Sequence, residues 1–407
     1  MDNDRGARAP LDGIRVLELS SVIAGPFAGS LLRLLGAEVV KVEAPGGDAI
    51  RKWESPRGPL PFAQINAGKR SVVIDLKSPD GVEAIKRLLP SFDVLTHNLR
   101  PGSMERLGLS GADCLEINPG LVYLGVSGLG SVGPKAGRPV YDSIAQASSG
   151  LLGLLTPPGA NPAVGPALGD LSTGIVALSG VLAALVARER TGRGSVVETS
   201  LVEGTIALIH DQFAHLQATG VQFDIEARSR VSQIFPLRTA DGDLVIAHFS
   251  TSQKFFESLA RALDMVGVID DPRFHAYNAR VQNYELLLDE FGARTSKLST
   301  ESFVKLLEQA DVPHSPVMSL GEVMTDPQID ALGLFADVDE KTGMRFSGAP
   351  WRFNGVRPGG VRGWPEMGED TRAVLESVCS GDELADWIQR GVVQDIADRS
   401  CRDEDIE

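Results

Sequence analysis

Apolar and polar positions along the chain fall into blocks of two different periods. Residues 14–19 and 121–127 are short, almost continuous apolar runs, as expected of strands buried on both faces, and 38–42, 71–76, 93–96 and 195–198 read as further strands. Segments of helical period separate them: 27–35, ended by Gly36, then 80–89, a helix opened by Tyr141, Asp142 and Gln146, and 201–217. The longest helix begins near Asp170 and runs to about Arg190. In it Ile175, Val176, Leu178, Val181, Leu182, Leu185 and Val186 recur three and four apart, predicting a broad buried face, and Gly192 and Gly194 stop it. Strands alternating with helices predict an α/β fold with a mostly parallel sheet, and 14–42 is a strand, helix, strand unit of the Rossmann type.

The pattern changes near Asp224. Two strands, 234–239 and 244–249, flank Asp241-Gly242 and predict a hairpin; amphipathic helices at 253–263, 284–298 and 300–310 complete a smaller α+β domain. The segments DPRF (271–274) and VPHSPV (312–317) read as ordered loops. The chain ends in a helix and an acidic tail, RDEDIE, expected to be disordered.

Composition narrows the functional classes. With 407 residues and 43% apolar content the chain can build a sizeable core, and its formal charge of -15 argues against nucleic acid or an anionic membrane as partner. Cys114, Cys379 and Cys401 are scattered without a CxxC, and the six histidines lack metal-ligand spacing, so neither a disulfide framework nor a metal centre is expected. The first ten residues carry no apolar export segment and no run approaches eighteen uninterrupted apolar residues; a cytoplasmic location is the expectation.

Candidate chemistry lies at strand ends. Gly25 and Pro26 open a helix after the first strand, and Glu43 ends the second strand where a ribose-binding acid would sit, but the loop lacks the GxGxxG that brings a backbone against a pyrophosphate. Asn98, Arg100 and Arg106 follow the strand at 93–96. With Lys69, Arg70 and Lys77 they suggest a phosphate-binding patch in an otherwise acidic protein. Asp170, at the start of the long helix, reads either as an N-cap held ionised by first-turn amides or as a reactive carboxylate, with Gly169, Ser172, Thr173 and Gly174 leaving room for a substrate.

Taken in order, LDGIRVLELSSVIAGPFAGSLLRLLGAEVVKVEAPGGD (11–48), NAGKRSVVIDLK (66–77), NLRPGSMERLGL (98–109), YDSIAQASSG (141–150), ALGDLSTG (167–174) and TGRGSVVETSLVEG (191–204) resemble the class III CoA-transferase family across nearly the whole chain. The resemblance implies a Rossmann-like large domain built from 1–205 and a return segment, 331–407, a linker helix at 206–224, a small α+β domain at 225–330, and an interlocked homodimer. It implies Asp170 as nucleophile and CoA lying along Val22, Ile23, Ala24, Ile74, Lys77, Asn98, Leu99, Arg100, Arg106, Tyr141 and Asp142. The implied partners are an acyl-CoA and an acceptor carboxylic acid, with no cofactor beyond CoA itself. Ile23 and Ala44 stand where formyl-CoA transferases carry Gln and a basic residue, which points away from formyl and oxalyl groups. Tyr141 stands where the family's racemase branch has a His, so transfer is favoured over α-carbon racemisation; a CoA-ester hydrolase would use the same Asp170 with water as acceptor.

Overall fold

A computed structural model describes residues 9–53, 59–335, 338–339, 343–358, 360 and 363–396. The acidic tail lies outside the described residues. Among the described residues there are ten strands: β1 (Arg15–Leu19), β2 (Glu38–Glu43), β3 (Arg70–Ile74), β4 (Val94–His97), β5 (Val122–Ser127), β6 (Ser195–Ser200), β7 (Ile234–Arg238), β8 (Leu244–His248), β9 (His314–Pro316) and β10 (Val393–Gln394). Four helices matter for the site: α1 (Ala24–Leu34), α2 (Asp142–Ser149), α3 (Leu168–Thr191) and α4 (Leu201–Leu208).

Two compact units emerge, one comprising Met1–Gly153, Ala163–His210 and Gly333–Glu407, the other Leu154–Pro162 and Asp211–Leu332. The first holds a seven-stranded sheet in the order β10-β3-β2-β1-β4-β5-β6. Every pairing is parallel except β10 on β3, an edge strand too short to be legible as a pattern. Its strands β1 to β5 are covered on both faces. Leu17, Leu19, Val40, Val42, Val72 and Ile74 pack with the helix Pro79–Leu88, whereas Val16, Val39, Val94 and Val122 pack with α1 and α3. This two-sided burial is why these strands read as apolar runs rather than alternations.

In the second unit β7, β8 and β9 form an antiparallel sheet against an aromatic core of Phe235, Phe249, Phe256, Phe274, Phe291 and Phe303. The VPHSPV segment, expected as a loop, supplies β9. Phe249 is core.

α3 has the length and apolar composition of a membrane-crossing helix. Yet Ala177, Leu178, Val181, Ala184 and Leu185 are buried in the core of the first unit, while Ile175 and Val186, expected on the buried face, are 53% and 61% exposed. The predicted stop is Gly192, at φ +67, whose amide donates to the Arg188 carbonyl. The helix expected at 201–217 is two helices, α4 and His210–Thr219, broken at Ile209.

Candidate active site

Parallel sheets leave a crevice outside the carboxyl ends of the strands where their order reverses, here between β1 and β4. The loops following β1, β4 and β5 surround a cleft of about 320 Å³ at that edge, whose lining includes Val22, Ile23, Ala24, Asn98, Leu99, Arg100, Arg138, Tyr141 and Asp170. Asp170 is the single carboxylate, and no histidine is present, among the described lining residues. It is 8% exposed, sunk into the wall but reachable.

The structure corrects the N-cap reading of Asp170. Ala167 is the N-cap of α3 and offers no side-chain acceptor, while Asp170 is the third helical residue. Asp142, the first residue of α2, takes the cap role from 28 positions away. Its Oδ1 accepts from the amides of Gly169 (2.8 Å) and Asp170 (3.1 Å), and its Oδ2 accepts from Gln146 Nε2 at 2.6 Å. Among the described residues no donor and no cation pairs with the Asp170 carboxylate. Burial, and secondly the negative charge of Asp142, push its pKa up to about 7. The expectation that first-turn amides hold Asp170 firmly ionised therefore fails; those amides belong to Asp142.

The small residues around Asp170 also prove to be filled rather than vacant. A Cβ on Gly169 would lie 3.0 Å from Thr205 Oγ1 and 3.1 Å from Asp142 Oδ1, and one on Gly174 would lie 2.6 Å from Phe27 Cδ1. On the facing helix, a Cβ on Gly204 would lie 2.3 Å from Thr173 Oγ1. Glycine at these points lets α1, α3 and α4 cross closely. The space beside Asp170 comes instead from the three strand-end loops.

Basic residues divide sharply. Lys69 is fully buried: its Nζ contacts Glu18 Oε2 (2.9 Å), Pro26 O (2.7 Å) and Asn66 Oδ1 (2.9 Å), so it is no part of a phosphate patch. Arg70 is paired with Glu38 and Asp370, both at 2.9 Å. Lys77 is exposed beyond β3, and Ile74 is wholly buried in the core; neither lines the cleft. Arg106 donates to Ser103 Oγ at 2.9 Å outside it. Of the predicted cations only Arg100 reaches the lining, where it is joined by Arg138 from the loop before α2. Glu43 is consumed by Arg51 (2.7 Å to each oxygen) and Ser71 (2.7 Å), so no ribose-binding acid is free there.

Two residues missed from sequence underlie the β1–α1 loop. Lys41 sits opposite Glu18 in the register of β1 and β2, both on the α1 side of the sheet, and pairs with Asp48 at 2.8 Å. The available signal was a charged residue in the middle of each apolar run, RVLEL and EVVKVE.

The family model for CoA-transferase family III matches residues 11–371. The chain belongs to the family III CoA-transferases. As such it is 33% identical to succinyl-CoA:glutarate CoA-transferase of Mus musculus, over 94% of this chain and 89% of that one. It is also 33% identical to the succinyl-CoA–D-citramalate CoA-transferase of Chloroflexus aurantiacus, over 95% and 98%. Among solved structures, a CAIB/BAIF family protein from Brucella suis superimposes with a TM-score of 0.80 at 29% identity, over 91% of this chain and all of the other. This family III CoA-transferase is thus an enzyme of acyl-CoA chemistry with an α/β fold, and the cleft holding Asp170 is its candidate active site.

Proposed function

We propose that the protein moves CoA from an acyl-CoA to a free carboxylic acid through covalent intermediates on Asp170. One observation carries this reading: Asp170 is the only carboxylate among the described residues of the cleft, buried without a counter-ion and so poorly solvated and nucleophilic when ionised. An Asp170 oxygen attacks the thioester carbonyl, the C–S bond breaks, and CoA leaves as thiolate from a mixed anhydride. The thiolate then attacks the Asp170 carbonyl carbon, releasing the donor acid and leaving an aspartyl-CoA thioester. The acceptor carboxylate displaces the thiolate to form a second anhydride, and thiolate attack on the acceptor's carbonyl carbon regenerates the Asp170 carboxylate. Each step balances with no group beyond CoA.

The amides of Ile23 and Ala24, at the end of the loop and the start of α1, are suited to the oxyanions of these steps. Racemisation needs a second base across the α-carbon, and no histidine or second carboxylate is found among the described lining residues. The CoA contacts proposed are Val22, Ile23, Ala24, Asn98, Leu99, Arg100 and Tyr141 along the cleft, with its nucleotide end turned toward Lys77 and Arg106. Asp142 supports the Asp170 segment from behind. Following the relatives' names, succinyl-CoA as donor and small dicarboxylic acids as acceptors form the first substrate pair to try. Ile175, Val186 and Leu208, exposed at 53%, 61% and 52%, supply apolar surface that a second copy would cover in the proposed homodimer.

The test is mass spectrometry of the protein incubated with succinyl-CoA. A CoA adduct on the peptide containing Asp170, absent from Asp170→Ala, is the expected result; turnover by Asp170→Ala would refute the assignment.

A further inference from the structure

Val22 is a β-branched residue at φ +68, a backbone conformation that L side chains, and branched ones above all, avoid. It lines the cleft immediately before α1. A strained backbone persists only where its surroundings impose it. Here the backbone of Ser20, Ser21 and Val22 is held by side chains from other elements. Lys41 Nζ donates to Ser20 O at 2.8 Å. Asn98 accepts from Ser21 N at 2.9 Å and donates to Ser21 O at 2.6 Å, and Asp48 accepts from Val22 N at 3.2 Å and 3.3 Å. Gly25 completes the fit, because a Cβ there would lie 2.5 Å from Ser20 Cβ.

We infer that Asp48, held in place by Lys41, is a positioning residue for CoA transfer. Through the Val22 amide it keeps the β1–α1 loop in its strained form, so that Ile23 and Ala24 present their backbone to the cleft that contains Asp170. This rests on the proposed transfer reaction for its catalytic meaning. Asp48 does not line the cleft and touches no substrate in this account; it acts through Val22. Its carboxylate serves three donors: Oδ1 takes Val22 N and Ile50 N (both 3.2 Å), and Oδ2 takes Lys41 Nζ (2.8 Å). A carboxamide offers one acceptor oxygen, so Asp48→Asn must turn an NH₂ group against one of them.

The variants Asp48→Asn, Val22→Gly and the double mutant test this. With the loop released, kcat of Asp48→Asn should fall about 100-fold, the scale of a misplacement near 1 Å, with KM for acyl-CoA within about twofold. Glycine adopts positive φ without strain, so Val22→Gly should recover at least about tenfold of that loss in the double mutant. A general loss of folding would not be rescued this way. A folded Asp48→Asn with wild-type kcat, or a double mutant no better than Asp48→Asn, overturns the proposal.

Should Asp48→Asn fail to fold, the crystal structure of Val22→Gly decides. Residue 22 remaining near φ +68 with no side chain to prefer it supports an imposed conformation, and relaxation to negative φ overturns it. Absence of transfer by wild-type protein with every donor and acceptor pair would remove the reaction assignment, while the φ of residue 22 in these crystals would still decide the clamp.

Discussion

Glu43 and Asp170 are both carboxylates withdrawn from water, 3% and 8% exposed, and burial has opposite outcomes for them. Burial alone would raise the pKa of each. Around Glu43 the hydrogen bonds and charge of Arg51, the Ser71 hydroxyl and the charge of Lys41 outweigh it and carry the group below the ordinary carboxylate range. Among the described residues Asp170 has no such partner, and the charge acting on it is that of another acid, Asp142. One region spends its charges on each other and becomes scaffold; the other leaves one carboxylate uncompensated beside a cleft. A buried acid is thus a candidate for chemistry when the fold withholds its cation, not merely because it is buried.

The comparison breaks most decisively at Asp170 itself. Asp170→Asn should lower transfer by at least about 10⁴-fold in a coupled assay, the scale of removing a covalent nucleophile. The same change should stabilise the fold at high pH. Because the folded-state pKa lies above the unfolded one of 3.8, the native protein keeps a proton that the unfolded chain releases. Its stability therefore falls as pH rises from about 4 through about 7. Thermal unfolding should show Asp170→Asn about 5 °C more stable than wild type at pH 8, converging near pH 4. Equal melting at both pH values would mean that Asp170 is not strained by its burial.

The scaffold region should respond in the reverse sense. Lys41→Met leaves Asp48 and part of the Glu18 charge uncompensated in a fully buried site and should cost about 3–5 kcal/mol in denaturant unfolding. Lys69 remains beside Glu18, so the loss should be borne mainly by Asp48. A neutral result would show that the network contributes nothing net.

The smallest effect sharpens the assignment of causes. Transfer should rise with pH along a titration centred near 7, as Asp170 ionises. In Asp142→Asn the nearby charge is lost while the amide oxygen can still accept from Gly169 N and Asp170 N, so the midpoint should move to lower pH by about one unit or less. An unmoved midpoint would leave burial as the sole cause.

Much of this architecture was legible before any coordinates. The apolar runs located β1 to β6, the periodic segments located α1 and α3, and the strand-end rule selected Asn98, Arg100 and Arg106, of which Asn98 and Arg100 line the cleft with Val22, Ile23, Ala24, Leu99, Tyr141 and Asp170. Lys69 and Arg70 were misread because a charged residue near a strand end looks the same in sequence whether it faces a ligand or a buried partner. Asn98 shows a related ambiguity, lining the cleft while its amide is spent on Ser21.

The sequence by itself determined the order of strands and helices, the glycine that ends α3, and the presence of an acid in that helix's first turn, because each depends on local period or local backbone geometry. Only the tertiary structure decided that Asp142 rather than Asp170 caps α3, that Lys41 meets Glu18 and Asp48, and that the β1–α1 loop is held at a positive φ. Those contacts join residues that strand register and helix crossing bring together, and spacing along the chain carries no record of them.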